Sequence, residues 1–180
     1  IKQNPGIAAV VGTEYLYASA YDKGEGWTSA DLTPAGVQGS NHPSLRAVAT
    51  GPDPIFRISA SGNAINQRRF RVTLNGDSIA GQQMDFFNIG KVETTFPLSY
   101  LQTGAALIQI RNISTTSTDR MVIHKYEIEY PRLFHFANSK NFTFRLAGNP
   151  NGNYLETYSF NAGAAVPVMY DITNGKRYVA

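Results

Sequence analysis

Met121-Val122-Ile123-His124-Lys125-Tyr126-Glu127-Ile128-Glu129-Tyr130 decides the fold. Val122, His124, Tyr126, Ile128 and Tyr130 recur at every second position, with Lys125, Glu127 and Glu129 between them. A period of two is the mark of a strand with one buried and one wet face. The same rhythm continues on either side. Phe70, Val72 and Leu74 alternate with Arg69, Arg71 and Thr73, then run into Asn75-Gly76-Asp77. Asn-Gly accepts positive φ at both turn positions, which predicts a tight hairpin. Phe56, Ile58 and Ala60 alternate with Arg57 and Ser59, and Ile108 to Ile110 is a short apolar strand.

Downstream, Phe142, Phe144 and Leu146 predict a further strand face, and residues 148–153 form a loop by composition. Tyr154, Glu156, Tyr158 and Phe160 alternate with Leu155, Thr157 and Ser159. Val166, Val168, Tyr170 and Ile172 alternate with Pro167, Met169 and Asp171. Asn174-Gly175 then turns the chain into a last strand ending at Val179. These segments make roughly ten short strands, with no convincing helical period, which predicts a sandwich or barrel. Residues 29–44, rich in Gly, Pro, Ser and Asn, read as a long loop or irregular edge.

The chain has 180 residues, enough for one domain with a core of its own. It contains no cysteine, which excludes disulfides, thiolate metal sites and a cysteine nucleophile. Charged residues make up 16%, against about 25% in ordinary soluble domains, while aromatics reach 12%. That balance suits strands. A net charge of +3 falls short of the dense basic face of nucleic-acid binders, so no nucleic-acid partner is expected. The longest nearly apolar stretch, 162–170, is interrupted by Gly and Pro and is far below the roughly 20 residues of a spanning helix. With no initiator Met and no signal peptide, the chain reads as a piece of a longer or processed protein.

Three constellations carry candidate chemistry. Tyr15, Tyr17, Tyr21, Glu25, Trp27 and Asp31 gather aromatics and carboxylates in a short span, with Glu14 and Asp22 beside them. Exposed aromatics beside carboxylates can hold a sugar ring or a protein partner. Carboxylates in sandwich loops can also hold a structural calcium, although no specific calcium motif is present and no cofactor is expected. Arg57, Arg68, Arg69 and Arg71 could place several guanidiniums on one sheet face, which could grip phosphates or acidic glycans. Lys125, Glu127 and Glu129 form a wet face expected to pair with charges on neighbouring strands. Of the histidines, His42 is expected in an exposed loop, His124 as a hydrogen-bonded core residue, and His135 turned away from Phe134 and Phe136. No Gly-x-Ser-x-Gly elbow supports a serine hydrolase.

Met121 to Leu133 resembles a strand in the non-catalytic region that precedes the peptidase domain of gingipain-like cysteine peptidases, nearest the type IX secretion sortases. Phe142-Thr143-Phe144-Arg145, Tyr158-Ser159-Phe160 and Val166-Pro167-Val168-Met169-Tyr170-Asp171-Ile172-Thr173 follow in the same order as in that region, and Glu14 to Trp27 is similar to its entry. Tyr170 stands where the family often has Trp. The resemblance implies a jelly-roll-like, galactose-binding-like β-sandwich over 13–180, after an N-terminal extension over 1–12. It implies an accessory role at the cell surface, outer membrane or periplasm, positioning a downstream peptidase domain, secretion partners or cargo. No residue here inherits a catalytic role, because the family's Cys and His lie downstream. The alternative is a carbohydrate-binding module built on the Tyr15 to Asp31 cluster.

Overall fold

A computed structural model of the chain describes residues 27–179 in full and, before them, the backbone of three strands. The strands are β1 (Lys2–Gln3), β2 (Ile7–Val11), β3 (Glu14–Ala18), β4 (Trp27–Thr28), β5 (Val37–Pro43), β6 (Ile55–Gly62), β7 (Arg68–Leu74), β8 (Asp77–Met84), β9 (Ile89–Thr95), β10 (Ala105–Asn112), β11 (Met121–Glu129), β12 (Val168–Asp171) and β13 (Lys176–Val179). One short 3-10 turn, Leu98–Leu101, interrupts them. The fold is all-β. All strand pairs between them are antiparallel.

The chain divides into two compact units, residues 1–131 and 132–180. The sequence reading draws a boundary at 12/13 and a sandwich running on to 180. β2 pairs with β3 across the first of these positions, Ile7 opposite Ala18.

In the first unit, a four-stranded sheet in the order β5-β10-β7-β8 faces a three-stranded sheet in the order β11-β6-β9. Both sheets supply one core: Phe70, Val72, Leu74, Ile108 and Ile110 from the first, Phe56, Ile58, Ala60, Met121 and Ile123 from the second. Sheet neighbours distant in sequence, such as β5 and β10, give the jelly-roll-like sandwich its crossovers. Alternation on β7 is as expected, with Phe70, Val72 and Leu74 buried and Arg69 and Arg71 exposed. Asn75 and Gly76 both take positive φ, 51° and 101°, and close the β7–β8 hairpin.

β11 departs from simple alternation. The register slips between Ile123 and Lys125, leaving His124 as an extra residue. Met121 and Ile123 therefore join Tyr126 and Ile128 at the core, whereas the sequence reading places Val122 and His124 on the Tyr126 face. Residues 29–44 are more regular than expected. Leu32 bridges to Met121, and residues 37–43 are β5, paired with β10 from Val37–Arg111 to Pro43–Ala105. This edge strand hides its signal because its side chains are mostly exposed and polar. His42, expected in an exposed loop, sits in β5 with its Nε2 2.8 Å from the Tyr126 hydroxyl of β11, a polar tie between the two sheets.

In the second unit, residues 142–146 and 154–160 do not form the expected strands. Phe142, Phe144 and Phe160 pack ring against ring instead, while Tyr154 is 91% exposed. Phe136 stacks on Phe142 at 4.5 Å and meets Phe160 edge-on at 5.2 Å, while Phe134 meets Phe144 at 4.9 Å. Such contacts bury area without requiring a ladder. The Arg132 guanidinium lies 4.8 Å from the Phe142 ring. The last hairpin does form, β12 with β13, turning through Gly175 at φ 63°.

Candidate functional site

Trp27 and Asp31 are held by a segment that is hydrogen-bonded along the start of β11. The Ser29 N–H donates to the Ile123 carbonyl at 2.8 Å, the Ile123 N–H donates to Ser29 Oγ at 3.0 Å, and Leu32 and Met121 exchange backbone bonds. β4 also pairs with β1, Gln3 opposite Trp27. Thr28 and Leu32 are buried beneath this segment, and Trp27 stands 54% exposed. Asp31 is exposed and accepts a 2.7 Å hydrogen bond from Asn63 Nδ2. A large ring is thus held on a hydrogen-bonded backbone with more than half of its surface exposed, and a carboxylate lies four residues on. Tyr15 and Tyr17 lie on β3, opposite Val10 and Ala8 in the backbone register. Their side chains, like Tyr21, Asp22 and Glu25, fall outside the described residues. Among the described residues no group of three or more His, Asp or Glu could hold a metal ion.

The four arginines expected to share a face do not. Arg68 is only 2% exposed and turns into the fold, on the same side of β7 as Phe70. It meets Asp119, donates to the Ala64 and Asn66 carbonyls at 2.7 and 2.6 Å, and to the Phe86 carbonyl at 2.5 Å. Arg57 lies on the other sheet. It donates 2.6 Å to Glu93 of β9 and 2.9 Å to Glu129 of β11, which gives one of the three wet-face residues of β11, Glu129, its expected cross-strand charge partner. The bond to Glu129, then that to Glu93, raises the Arg57 guanidinium above its ordinary value. A shallow depression of about 360 Å³ lies on this outer face, between Arg57, Ser59, Lys91 and Lys125. Arg69 and Arg71 remain exposed on the outer face of the four-stranded sheet.

Two Ser–His contacts bear on hydrolase chemistry. Ser61 Oγ lies 2.5 Å from His124 Nε2, but Ser61 is fully buried and offers no access to a substrate. In the second unit, Ser159 Oγ lies 3.0 Å from His135 Nε2, and the Ala137 N–H donates to His135 Nδ1 at 3.1 Å. An Nδ1 that accepts a bond places the ring proton on Nε2, which then donates to Ser159. A general base needs the reverse tautomer, with a carboxylate at Nδ1. The pair fixes an irregular backbone, since the Asn138 N–H also bonds the Ser159 carbonyl.

The β12–β13 hairpin carries many apolar side chains on the surface, among them Val168, Met169, Tyr170 and Val179, with Tyr170 65% exposed; Ile172 in its turn is 86% exposed. No helix among the described residues is long and apolar enough to cross a membrane, which leaves β-barrel spans unaddressed.

This geometry defines a jelly-roll-like β-sandwich with exposed loop and sheet surfaces. No protein-family model and no curated protein matches the chain. Among solved structures it is similar to dimeric latent PorU from Porphyromonas gingivalis, at 10% identity and a TM-score of 0.55. That alignment covers 68% of this chain and 12% of the PorU chain, and at this identity the likeness concerns the fold. Two weaker likenesses are to a carbohydrate-binding module, CBM36, in complex with calcium and xylotriose, and to the CBM36-1 domain of a multidomain xylanase from the hindgut metagenome of Trinervitermes trinervoides. Their identities are 9% and 11% and their TM-scores 0.40 and 0.41; they cover 54% and 55% of this chain, and 76% and 75% of the modules.

Proposed function

We propose that the chain is a non-catalytic accessory sandwich of a larger surface-associated cysteine peptidase of the gingipain-like class, nearest the type IX secretion sortases. In this reading it positions the peptidase domain, secretion-system partners or arriving cargo at the cell surface or in the periplasm. The observation that carries the reading is the apolar hairpin over 168–179. Its first strand falls in the Val166 to Thr173 stretch that resembles the strand leading into the family's peptidase domain, and its apolar side chains stand uncovered. A hairpin that exposes several large apolar side chains suits a contact with further protein. The cysteine-free composition agrees with a supporting role, and so does a fold likeness to a small part of a much longer chain.

The deciding experiment is the sequence of the full gene. A Cys/His peptidase domain encoded directly after Ala180 is the expected result. A reading frame that stops near Ala180 would overturn the proposal.

Trp27 favours a second reading, a carbohydrate-binding module. A ring more than half exposed on a hydrogen-bonded segment suits stacking on a sugar face. A glycan array run with the wild-type chain and with Trp27→Ala separates the two readings. Binding that Trp27→Ala abolishes supports the module, and an array blank for both proteins rejects it.

A further inference from the structure

The outer face of the four-stranded sheet has an unusual charge pattern. Arg71 of β7 and Arg111 of β10 are direct cross-strand partners. Both are exposed, and the neighbours on either side of each in sequence, Phe70 and Val72, Ile110 and Asn112, are buried. The two guanidiniums therefore rise from the same face. Arg69 stands two residues from Arg71 on that face, and its Nε lies 3.8 Å from where a Gly81 side chain would begin. Like charges directly opposite on a sheet are destabilising. Among the described residues, no carboxylate ion-pairs with Arg69, Arg71 or Arg111. The contrast with Arg57, flanked by Glu93 and Glu129 on the opposite sheet, is within the same molecule.

The shape suits a small ligand. Gly81 is the β8 partner of Arg71 and brings no side chain, so the sheet is hollow beside the guanidiniums. A depression of about 440 Å³ opens beside Arg69 and Arg71, lined also by Ser78, Gly81 and Ile113; Arg111 stands outside its lining, one strand over from Arg71.

We propose that Arg69, Arg71 and Arg111 form a binding site for a phosphomonoester group. A phosphomonoester carries nearly two negative charges at neutral pH and three acceptor oxygens. It offsets three guanidiniums better than one carboxylate does. Guanidiniums also grip tetrahedral oxyanions through paired N–H donors, which a lysine point charge does not. Ile113, 40% exposed, gives a sugar ring or other organic body a dry flank.

The site is tested by titrating the full chain at pH 7.5 with inorganic phosphate, glucose 6-phosphate and glucose, followed by calorimetry and by the arginine side-chain NMR resonances. Phosphate and glucose 6-phosphate should bind and shift the Arg71 and Arg111 Nε–Hε signals, and glucose should not. Tighter binding of the sugar phosphate supports the phosphomonoester; equal binding, which points to free phosphate, would overturn it. Affinity should fall as pH drops below about 6, where the second phosphate proton returns. Arg71→Gln with Arg111→Gln should weaken binding at least tenfold while the melting temperature holds or rises, because a like-charge pair is removed. Should that variant fail to fold, Arg71→Lys with Arg111→Lys keeps the charge and should still bind more weakly than wild type. Unperturbed arginine resonances, undiminished binding by a folded variant, or tighter binding of a tetra-aspartate peptide would each overturn the site. This outcome is independent of the gene structure that tests the accessory role.

Discussion

Arg68 and Asp119 form a fully buried ion pair, with Arg68 Nε 2.9 and 3.0 Å from the two carboxylate oxygens and Nη2 2.9 Å from Oδ1. Both side chains are 0% exposed. Asn112 Nδ2 donates to Asp119 Oδ2 at 2.8 Å. The remaining Arg68 donors reach the carbonyls of Ala64, Asn66 and Phe86, so the pair gathers three loops at one end of the sandwich. Removing one partner strands the other charge in the interior. Asp119→Ala is expected to lower unfolding free energy by about 3–5 kcal/mol, read from a urea titration. The double variant Arg68→Met with Asp119→Leu should recover part of that loss, because neither charge is left uncompensated.

Gly62 lies against this cluster. A Cβ there would overlap the Arg68 guanidinium and the Phe86 carbonyl. Gly62→Ala should therefore cost more than about 2 kcal/mol in the same titration, through displacement of a buried, hydrogen-bonded guanidinium. Gly148→Ala, where nothing lies within 4 Å, should stay within about 0.5 kcal/mol of wild type.

Much of this architecture is legible in the sequence, and the failures have physical causes. The β7 alternation and the Asn75-Gly76 turn read directly, because one face is dry and positive φ demands those residues. Arg68 was open to the same reasoning, since it shares the parity of Phe70 and Val72. Its charge argued for water, and only a partner 51 residues away in sequence reverses that. The strands expected over 142–146 and 154–160 fail for a different reason. Aromatics at every second position satisfy a sheet face and a ring cluster equally well; Phe142, Phe144 and Phe160 join rings, while Tyr154 stays in water. The arginine face escaped because its third member, Arg111, comes from β10, and sheet register joins it to Arg71.

Trp27→Ala should leave stability nearly unchanged, by less than about 1 kcal/mol, because the ring is more than half exposed. Thermal unfolding checks this and licenses the use of the variant in glycan binding.

Asp171 caps the β12–β13 turn. The Asn174 side chain donates to it at 2.7 Å, and the Asn174 and Thr173 N–H groups each donate at 3.0 Å. The Asn174 side-chain bond, then its backbone bond, holds the Asp171 carboxyl below its ordinary value of 3.8. A lowered folded value means the carboxylate stabilises the turn above the unfolded value, and the contribution disappears as pH falls through the folded one. The Thr173 and Asn174 amide signals should therefore stay constant from neutral pH down to the ordinary aspartate range and move only below it. A midpoint at or above the ordinary value would contradict the capping.

The extra residue at His124 also governs which changes of length β11 tolerates. On both sides of it the strand obeys strict parity, Ile123 opposite Ala60 and Lys125 opposite Ser59. Deleting His124 leaves both halves in phase, so the inward and outward sets keep their assignments. Deleting Glu127 instead turns one half inside out, bringing Lys125 to the core or sending Ile128 to water. His124 is thus one residue of slack in a strand that otherwise admits no change of length. The chain lacking His124 should fold with a lowered melting temperature, and the chain lacking Glu127 should show no cooperative melting at all.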